Sequence, residues 1–268
     1  YKYNRYIIIY LKKILTTKIS ASIQARMGSS RLPGKVLADI CGKPMLFRQI
    51  ERIKKSRLID ELIVATSTSP KDDKIELFCA ENNIKIFRGS ENDVLGRICQ
   101  MIEKNSIENH VEFYGDSPLP DSQIIDEIIG IFLKFKDQAD YFSSAIKTTY
   151  PPGLEVSVYS SKILLEVNKL IEKNDPLREH VGYNITRYPD TFKQFSIAAP
   201  LWFHYPDIYL EVDTKSDLNL IRKIYEYFIN RNIEFFQLKD ILDFLKMYPD
   251  LIEINNKENR RWKSFRME

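Results

Sequence analysis

Lys18-Ile19-Ser20-Ala21-Ser22-Ile23-Gln24 runs without a break into Ala25-Arg26-Met27-Gly28-Ser29-Ser30-Arg31-Leu32-Pro33-Gly34-Lys35. The first seven residues read as a core strand, and the next eleven as a loop leaving its carboxyl end, where ligands bind in an open α/β sheet. Gly28 and Gly34 allow backbone conformations and close approaches that a Cβ forbids, and Ser29 and Ser30 add hydroxyl donors. Arg26, Arg31 and Lys35 bring three cations into ten residues, more than a structural turn requires. A polyphosphate is the natural partner of such a loop, held by backbone N–H groups and charge-assisted side-chain bonds; a solvated basic turn is the competing reading. Neither the G-x-x-x-x-G-K-[ST] of a P-loop nor the G-x-G-x-x-G of a dinucleotide site is present.

Working outward, short β-branched runs alternate with amphipathic stretches, which predicts a mainly parallel sheet with helices on its faces. Strands are expected at Lys18–Gln24, Glu61–Ala65, Ile84–Arg88, His110–Gly115, Ala139–Ala145, Leu154–Tyr159, Phe192–Ala198 and Ile208–Val212. Helices are expected near 44–56, 70–83, 92–105, 121–136, 161–174, 176–187, 215–231 and 237–247. Ser69-Pro70-Lys71-Asp72 and Thr214-Lys215-Ser216-Asp217 both read as a cap residue with a carboxylate three positions later. The expected organisation is an extension over 1–17, one catalytic domain over 18–250 and a polar surface tail over 251–268.

With 268 residues, 44% hydrophobic and 29% charged, the chain has a globular composition and can bury a core. Its 40 Lys and Arg against 37 Asp and Glu leave a net charge of +3, too small an excess to indicate a nucleic-acid partner. No apolar run approaches the roughly 20 residues of a membrane-spanning helix. Lys2, Arg5, Lys12 and Lys13 around Tyr6–Leu11 superficially resemble the start of a signal peptide. The strand at Ile19 follows without a small-residue cleavage pattern, however, so an extension is the expected reading. Cys41, Cys79 and Cys99 lack metal-type spacing and read as thiols of a reducing compartment, the cytoplasm.

Gln24 to Leu37, followed by Gly42-Lys43-Pro44-Met45-Leu46, resembles the opening of the cytidylyltransferase superfamily, in particular the SpsF-type enzymes of spore-coat polysaccharide biosynthesis. These are relatives of the acylneuraminate and 3-deoxy-manno-octulosonate cytidylyltransferases. The resemblance implies a three-layer, Rossmann-like, mixed but mainly parallel sheet of the nucleotide-diphospho-sugar transferase type. It also implies CTP as co-substrate, Mg²⁺ as cofactor, a sugar or sugar-acid acceptor, release of pyrophosphate, and a homodimer as a common assembly. Arg26, Ser29 and Lys35 would then contact phosphate, with Ala25 and Gly28 completing the loop.

Later landmarks extend it. Ile63-Val64-Ala65-Thr66-Ser67 ends a strand with small polar residues, a common edge for a nucleotide pocket, so Thr66 joins the nucleotide set. Arg88-Gly89-Ser90-Glu91-Asn92-Asp93-Val94-Leu95-Gly96-Arg97 resembles a family element lying near base and ribose, which would engage Arg88, Ser90, Asp93 and Arg97. Gly115-Asp116-Ser117-Pro118 and Glu211-Val212-Asp213-Thr214 each set a carboxylate at the end of an expected strand. By resemblance Asp116 binds Mg²⁺, and Asp213 is the natural second ligand, since that ion takes few protein carboxylates and several waters. Arg26, Lys35 and Asp116 are thus the expected catalytic residues. Tyr150 to Val156 and Arg178-Glu179-His180-Val181 offer Gly153, Glu155, Arg178, Glu179 and His180 to an acceptor.

Two positions depart from the family pattern: Glu112 stands where the family usually carries arginine before the first carboxylate, and Tyr209 where it carries arginine before the second. An altered acceptor is one consequence and a catalytically silent nucleotide-binding subunit another. A glycosyltransferase using a ready-made nucleotide sugar is the remaining alternative, against which stands the lack of an Asp-x-Asp metal motif.

Overall fold

A computed structural model describes residues 17–264. The expected extension, apart from Thr17, and residues 265–268 of the expected tail lie outside the described residues.

The first strand, β1 (Ile19–Gln24), sends Ile19, Ala21 and Ile23 into an apolar core and turns the polar Ser20, Ser22 and Gln24 to the other face. Then come a small antiparallel hairpin of β2 (Asp39–Ile40) and β3 (Lys43–Pro44), followed by β4 (Glu61–Ser67), β5 (Lys85–Gly89), β6 (Asn109–Tyr114), β7 (Tyr141–Ser143), β8 (Ser157–Ser160) and β9 (Gln194–Ser196). Seven of them form one sheet in the order β5-β4-β1-β6-β8-β7-β9. β1 is parallel to β4 and β6, β4 to β5, and β7 to β9; only β8 runs antiparallel to its neighbours. Sequential β1, β4 and β5 moving to one side and β6 to the other creates a switch point at the carboxyl end of β1, where a crevice opens.

Helices cover both faces. Met45–Ile53, Ser122–Phe135, Lys215–Ile229 and Leu238–Met247 pack Ile50, Ile128, Ile221 and Leu245 on the core that holds β1's apolar side. Val94–Lys104 and Ser161–Leu170 pack Ile98, Met101 and Val167 on Ile63, Ala65 and Tyr159 across the sheet. This is the expected three-layer architecture.

Four local expectations fail for stated reasons. The stretch 208–212 is no strand, although Leu210 and Val212 are fully buried. Its amides bond to loops: Leu210 N–H donates to Pro152 O at 2.8 Å and Val212 N–H to Asp116 O at 2.7 Å. The helix expected over 176–187 divides into a 3₁₀ turn, Pro176–Glu179, and the short helix Tyr183–Thr186. His180 leaves helical geometry with φ −108° and ψ 81°, and Gly182 N–H donates to the Glu112 carboxylate at 2.9 Å instead of to a helix carbonyl. Ser69 does not cap its helix through its side chain. The polar stretch 251–268 carries a 3₁₀ helix at Pro249–Ile254 and buries Asn255 and Arg260 at 2% and 4% exposure. Thr214 and Asp217, in contrast, form the capping box read from their spacing.

Between the layers, the polar face of β1 and β6 holds a continuous hydrogen-bonded chain. Ser22 Oγ pairs with His110 Nε2 at 2.9 Å, His110 Nδ1 with Tyr159 Oη at 3.0 Å, and Tyr159 O–H and Gln24 Nε2 donate to Glu112 at 3.1 and 2.7 Å. Satisfying each member is what makes such a network tolerable in a dry interior. Burial raises the Glu112 carboxyl pKa against the lowering effect of its four donors.

Candidate active site

The loop after β1 is tied down by its backbone. Ala25 N–H donates to Ala65 O at 3.2 Å, Gly34 N–H to Met27 O at 2.9 Å and Leu32 N–H to Ser29 Oγ at 3.3 Å. Gly34 has φ +75°, which favours glycine, before Lys35 opens a 3₁₀ turn. Gly28 meets no such demand: a Cβ there would lie 3.9 Å from Glu91. Asp72 is an anchor that the sequence reads only as a cap residue. Its carboxylate, 2% exposed, accepts from Met27 N–H at 2.7 Å and from the Ser67 hydroxyl, joining the loop to the end of β4.

The centre of the crevice is Lys35. Its ammonium donates to Asp116 Oδ2 at 3.2 Å, to Asp213 Oδ1 at 2.9 Å and to the carbonyl of Val212 at 2.7 Å. Burial alone would lower the Lys35 pKa, but the two carboxylates outweigh it and the net direction is upward, so the residue is a fixed cation. Arg31 Nη2 meets the other oxygen of Asp213 at 2.5 Å. Arg26 pairs with Glu179, bringing the phosphate loop against the segment expected to hold the acceptor. The loop's three cations therefore face the three carboxylates Glu179, Asp116 and Asp213.

Asp116 reaches this point because Gly115 allows close passage: a Cβ on Gly115 would lie 2.7 Å from Gln24 O. Asp213 is held by Thr214 and Asp217, whose carboxylate accepts from Asp213 N–H at 2.9 Å. Gly153 sits against the same element with φ +102°, its missing Cβ direction pointing 2.6 Å from Glu211 N. Its own N–H donates to Glu155 at 2.7 Å. Glu211 is largely desolvated, with 12% of its side chain exposed, and close in charge to Glu155 and Asp116, which pushes its carboxyl up to about 8, and Trp262 Nε1–H donates to it at 2.7 Å.

The remaining expected residues divide into two groups. Arg97 and Thr66 keep buried polar atoms without a hydrogen-bond partner, the Arg97 Nε and the Thr66 hydroxyl. Arg97 is 1% exposed, donates to Ser90 O at 2.7 Å, and has its pKa lowered to about 10 by burial and by the charge of Arg26. Thr66 is likewise fully buried. Arg88, Asp93 and Arg178 are instead occupied in holding the fold together. Arg88 bonds to Asp73 at 2.7 Å, to Glu76 at 2.5 Å and to the Ser67 and Ser69 carbonyls. Asp93 caps the helix Val94–Lys104 through Gly96 N–H and accepts both Nε and Nη2 of the buried Arg178 at 2.8 and 2.9 Å. Ser90 Oγ accepts from Asp93 N–H at 3.1 Å. His180 offers its backbone carbonyl to Asn184 Nδ2 at 2.7 Å.

A divalent ion fits the centre by donor chemistry. Two carboxylates from separate elements converge on one buried positive charge, and no group of three or more His, Cys, Asp or Glu able to hold a metal occurs among the described residues. Two carboxylates are the kind of hard oxygen donor that Mg²⁺ takes in small number from a protein, water and phosphate supplying the rest.

An α/β switch-point crevice in which a cationic loop faces carboxylates suits a phosphate-bearing ligand, as in the nucleotidyltransferase class of enzyme. The comparisons narrow it. A family model described as cytidylyltransferase matches residues 21–242, and the chain belongs to that family. Among curated proteins it is 31% identical over 208 residues to the spore coat polysaccharide biosynthesis protein SpsF of Bacillus subtilis, covering 76% of this chain and 85% of that protein. It is 34% identical to the Methanocaldococcus jannaschii protein MJ1063, covering 93% and 98%. Among solved structures, a cytidylyltransferase from Leptospira borgpetersenii superposes with TM-score 0.82 at 26% identity, covering 91% of this chain and 99% of that one.

Proposed function

We propose that the chain transfers CMP from CTP to a sugar-acid acceptor with release of pyrophosphate, in the synthesis of a surface polysaccharide or glycoconjugate. The observation that carries this reading is the meeting of Asp116 and Asp213 on the Lys35 ammonium, beside the loop 25–35. In this reading the triphosphate lies along that loop, with Arg26, Ser29 and Lys35 as its contacts. Thr66 and Arg97, whose buried polar atoms lack partners, are assigned to the nucleoside in the same reading. An acceptor oxygen attacks the α-phosphorus in line, the bond to the β-phosphate breaks, and the acceptor proton passes to solvent.

Asp116 and Asp213 would hold Mg²⁺, whose chemistry is to neutralise charge on the reacting phosphate. Lys35 and Arg26 stabilise the negative charge that develops on the departing pyrophosphate, acting as fixed cations that need no reorganisation at the moment of reaction. Gly153 and Glu155 lie by Glu211, and Glu179 pairs with Arg26 of the loop; in this reading the acceptor binds among them. The three cysteines are free thiols, as a reducing cytoplasm would keep them. The test is to incubate the chain with each of the four nucleoside triphosphates and a panel of sugar acids and sugar phosphates. CTP with a sugar acid should release pyrophosphate; release with another triphosphate only, or with none, overturns the reading.

A further inference from the structure

The loop that carries Asp116 is anchored through its carbonyls. Pro118 and Pro120 have no N–H to give, and donors come to the loop from other elements. Val212 N–H meets Asp116 O. Gln49 Nε2 donates to Tyr114 O at 2.7 Å, the Tyr225 hydroxyl to Pro118 O at 2.9 Å and Arg52 Nε to Pro120 O at 2.9 Å. Gln49 and Arg52 lie one turn apart on the buried face of the helix Met45–Ile53, and the buried Tyr225 comes from the helix Lys215–Ile229. Gln49 and Tyr225 thus hold the carbonyls two residues before and two residues after Asp116. The carboxylate itself meets Lys35 Nζ at 3.2 Å and the Ser117 hydroxyl at 3.4 Å, both long for such bonds, so its direction depends on its backbone.

Gln49 is unfavourable for stability where it stands. Its neighbours on that face, Met45, Leu46, Ile50 and Ile53, are apolar. Its Oε1 is buried without a hydrogen-bond partner, a cost that an apolar residue of similar size avoids. What the amide supplies is a fixed position for the end of β6. Burial pushes the Tyr225 phenol up to about 12, so it keeps the proton that it donates to Pro118 O.

We propose that Gln49 and Tyr225 are positioning residues of the transfer reaction, which aim the Asp116 carboxylate by holding the backbone on either side of it. The inference rests on the nucleotidyl-transfer reading above. Each side chain acts through a carbonyl of the loop. A small rotation of that backbone turns Asp116 away from Lys35 and Asp213, and a reaction that depends on fixed charges loses rate steeply with such displacements.

The experiment compares the full wild-type chain with Gln49→Leu, Tyr225→Phe and Ile102→Val, the last a core variant on the other face of the sheet. Three quantities are read: turnover and its Mg²⁺ dependence in the pyrophosphate-release assay, the thermal midpoint, and amide hydrogen exchange over 113–121 in the free chain. Gln49→Leu and Tyr225→Phe should each lose on the order of tenfold in turnover, since a misplacement of about 1 Å can cost about 10²-fold. Both should need more Mg²⁺ for half the maximal rate. Exchange over 113–121 should quicken in both, while 61–67 in β4 keeps its wild-type protection. Gln49→Leu should melt no lower than the wild type, a result that a purely structural role does not give. Ile102→Val should melt lower and keep its turnover. Wild-type turnover, or wild-type exchange over 113–121, in Gln49→Leu or Tyr225→Phe overturns the assignment of that residue. A midpoint for Gln49→Leu well below the wild type overturns it for Gln49, and a loss of turnover that Ile102→Val matches, or an equal loosening of 61–67, overturns it for both; the nucleotide site is left standing in each case. A wild-type chain that releases no pyrophosphate with any triphosphate and acceptor overturns the transfer reading and this inference with it.

Discussion

The backbone N–H of Val212 donates to the carbonyl of Asp116 at 2.7 Å. This bond clips the loop after β6 to the chain entering the capping box, and the carboxylates of Asp116 and Asp213 both meet one lysine there. It takes the place of a ladder bond in a stretch whose sequence reads as a strand, so the site is built from a failed strand pairing.

Gly153 supports that clip from beneath. A Cβ there would lie 2.6 Å from Glu211 N and 2.7 Å from Leu210 C, and φ is +102°. Gly153→Ala is expected to cost roughly 1–3 kcal/mol in backbone strain and to displace Asp213, lowering both the thermal midpoint and turnover. Unchanged melting would show that the loop yields freely.

Arg26 separates activity from stability. Its pair with Glu179 is partly exposed on both sides, with side-chain exposures of 36% and 48%, and such pairs contribute about 0–1 kcal/mol. Arg26→Ala should melt like the wild type while losing turnover by about 10²-fold, the effect of removing one preorganised charge. Differential scanning calorimetry beside a pyrophosphate-release assay checks both halves.

Arg260 has the opposite profile. Its side chain is 1% exposed and its partner Asp217 is wholly buried, so Arg260→Ala leaves a buried carboxylate short of its counter-charge. A loss of about 3–5 kcal/mol is expected, read as a lower midpoint in urea or heat. Arg260→Lys should restore only part of it. A change within 0.5 kcal/mol, roughly the range of ordinary surface substitutions, would contradict the anchoring role.

His110 sets a pH dependence. It is wholly buried and its imidazole pKa falls to about 3 from 6.5 through burial. The unfolded chain therefore binds a proton that the native state refuses between those values, and stability drops as pH falls through that window. From pH 7 to pH 5 this residue alone should remove about 2 kcal/mol. The difference in unfolding free energy between wild type and His110→Gln should shift by that amount over the same range. A pH-independent difference would mean that His110 takes up its proton as readily in the native protein as in the unfolded chain.

The loop after β1, Asp116 and Asp213, which the fold brings together on Lys35, stand out in the sequence because each is a local signal, a short residue pattern at the end of an apolar run. Pattern also explains the errors. Ile208 to Val212 alternates as a strand does, but its inward residues pack between loops and find no neighbouring strand to pair with. Arg88, Asp93 and Arg178 have the residue types of ligand contacts, yet Arg178 closes on Asp93 from 85 positions away, a pairing that no local reading reveals. Asp72 was visible only as a cap, whereas its bonds to Met27 and Ser67 depend on β4 lying beside β1. Asn255 and Arg260 were hidden by composition: a polar, basic stretch reads as surface unless its counter-charge, here Asp217, is known to be buried beneath it. Glu112, conspicuous as an acid where a base was expected, proves to be a buried acceptor for Gln24, Tyr159 and Gly182 N–H, and so to position the segment carrying Glu179 and His180.

The most direct measurement is Mg²⁺-dependent pyrophosphate release from CTP, with a sugar-acid acceptor that supports wild-type turnover, compared across wild type, Lys35→Ala, Asp116→Asn and Asp213→Asn. Each variant should lose on the order of 10²-fold or more in turnover, and both asparagine variants should need far more Mg²⁺ to reach half their maximal rate. Near-normal rates with an unchanged Mg²⁺ requirement in either asparagine variant would show that Asp116 and Asp213 do not share a catalytic centre.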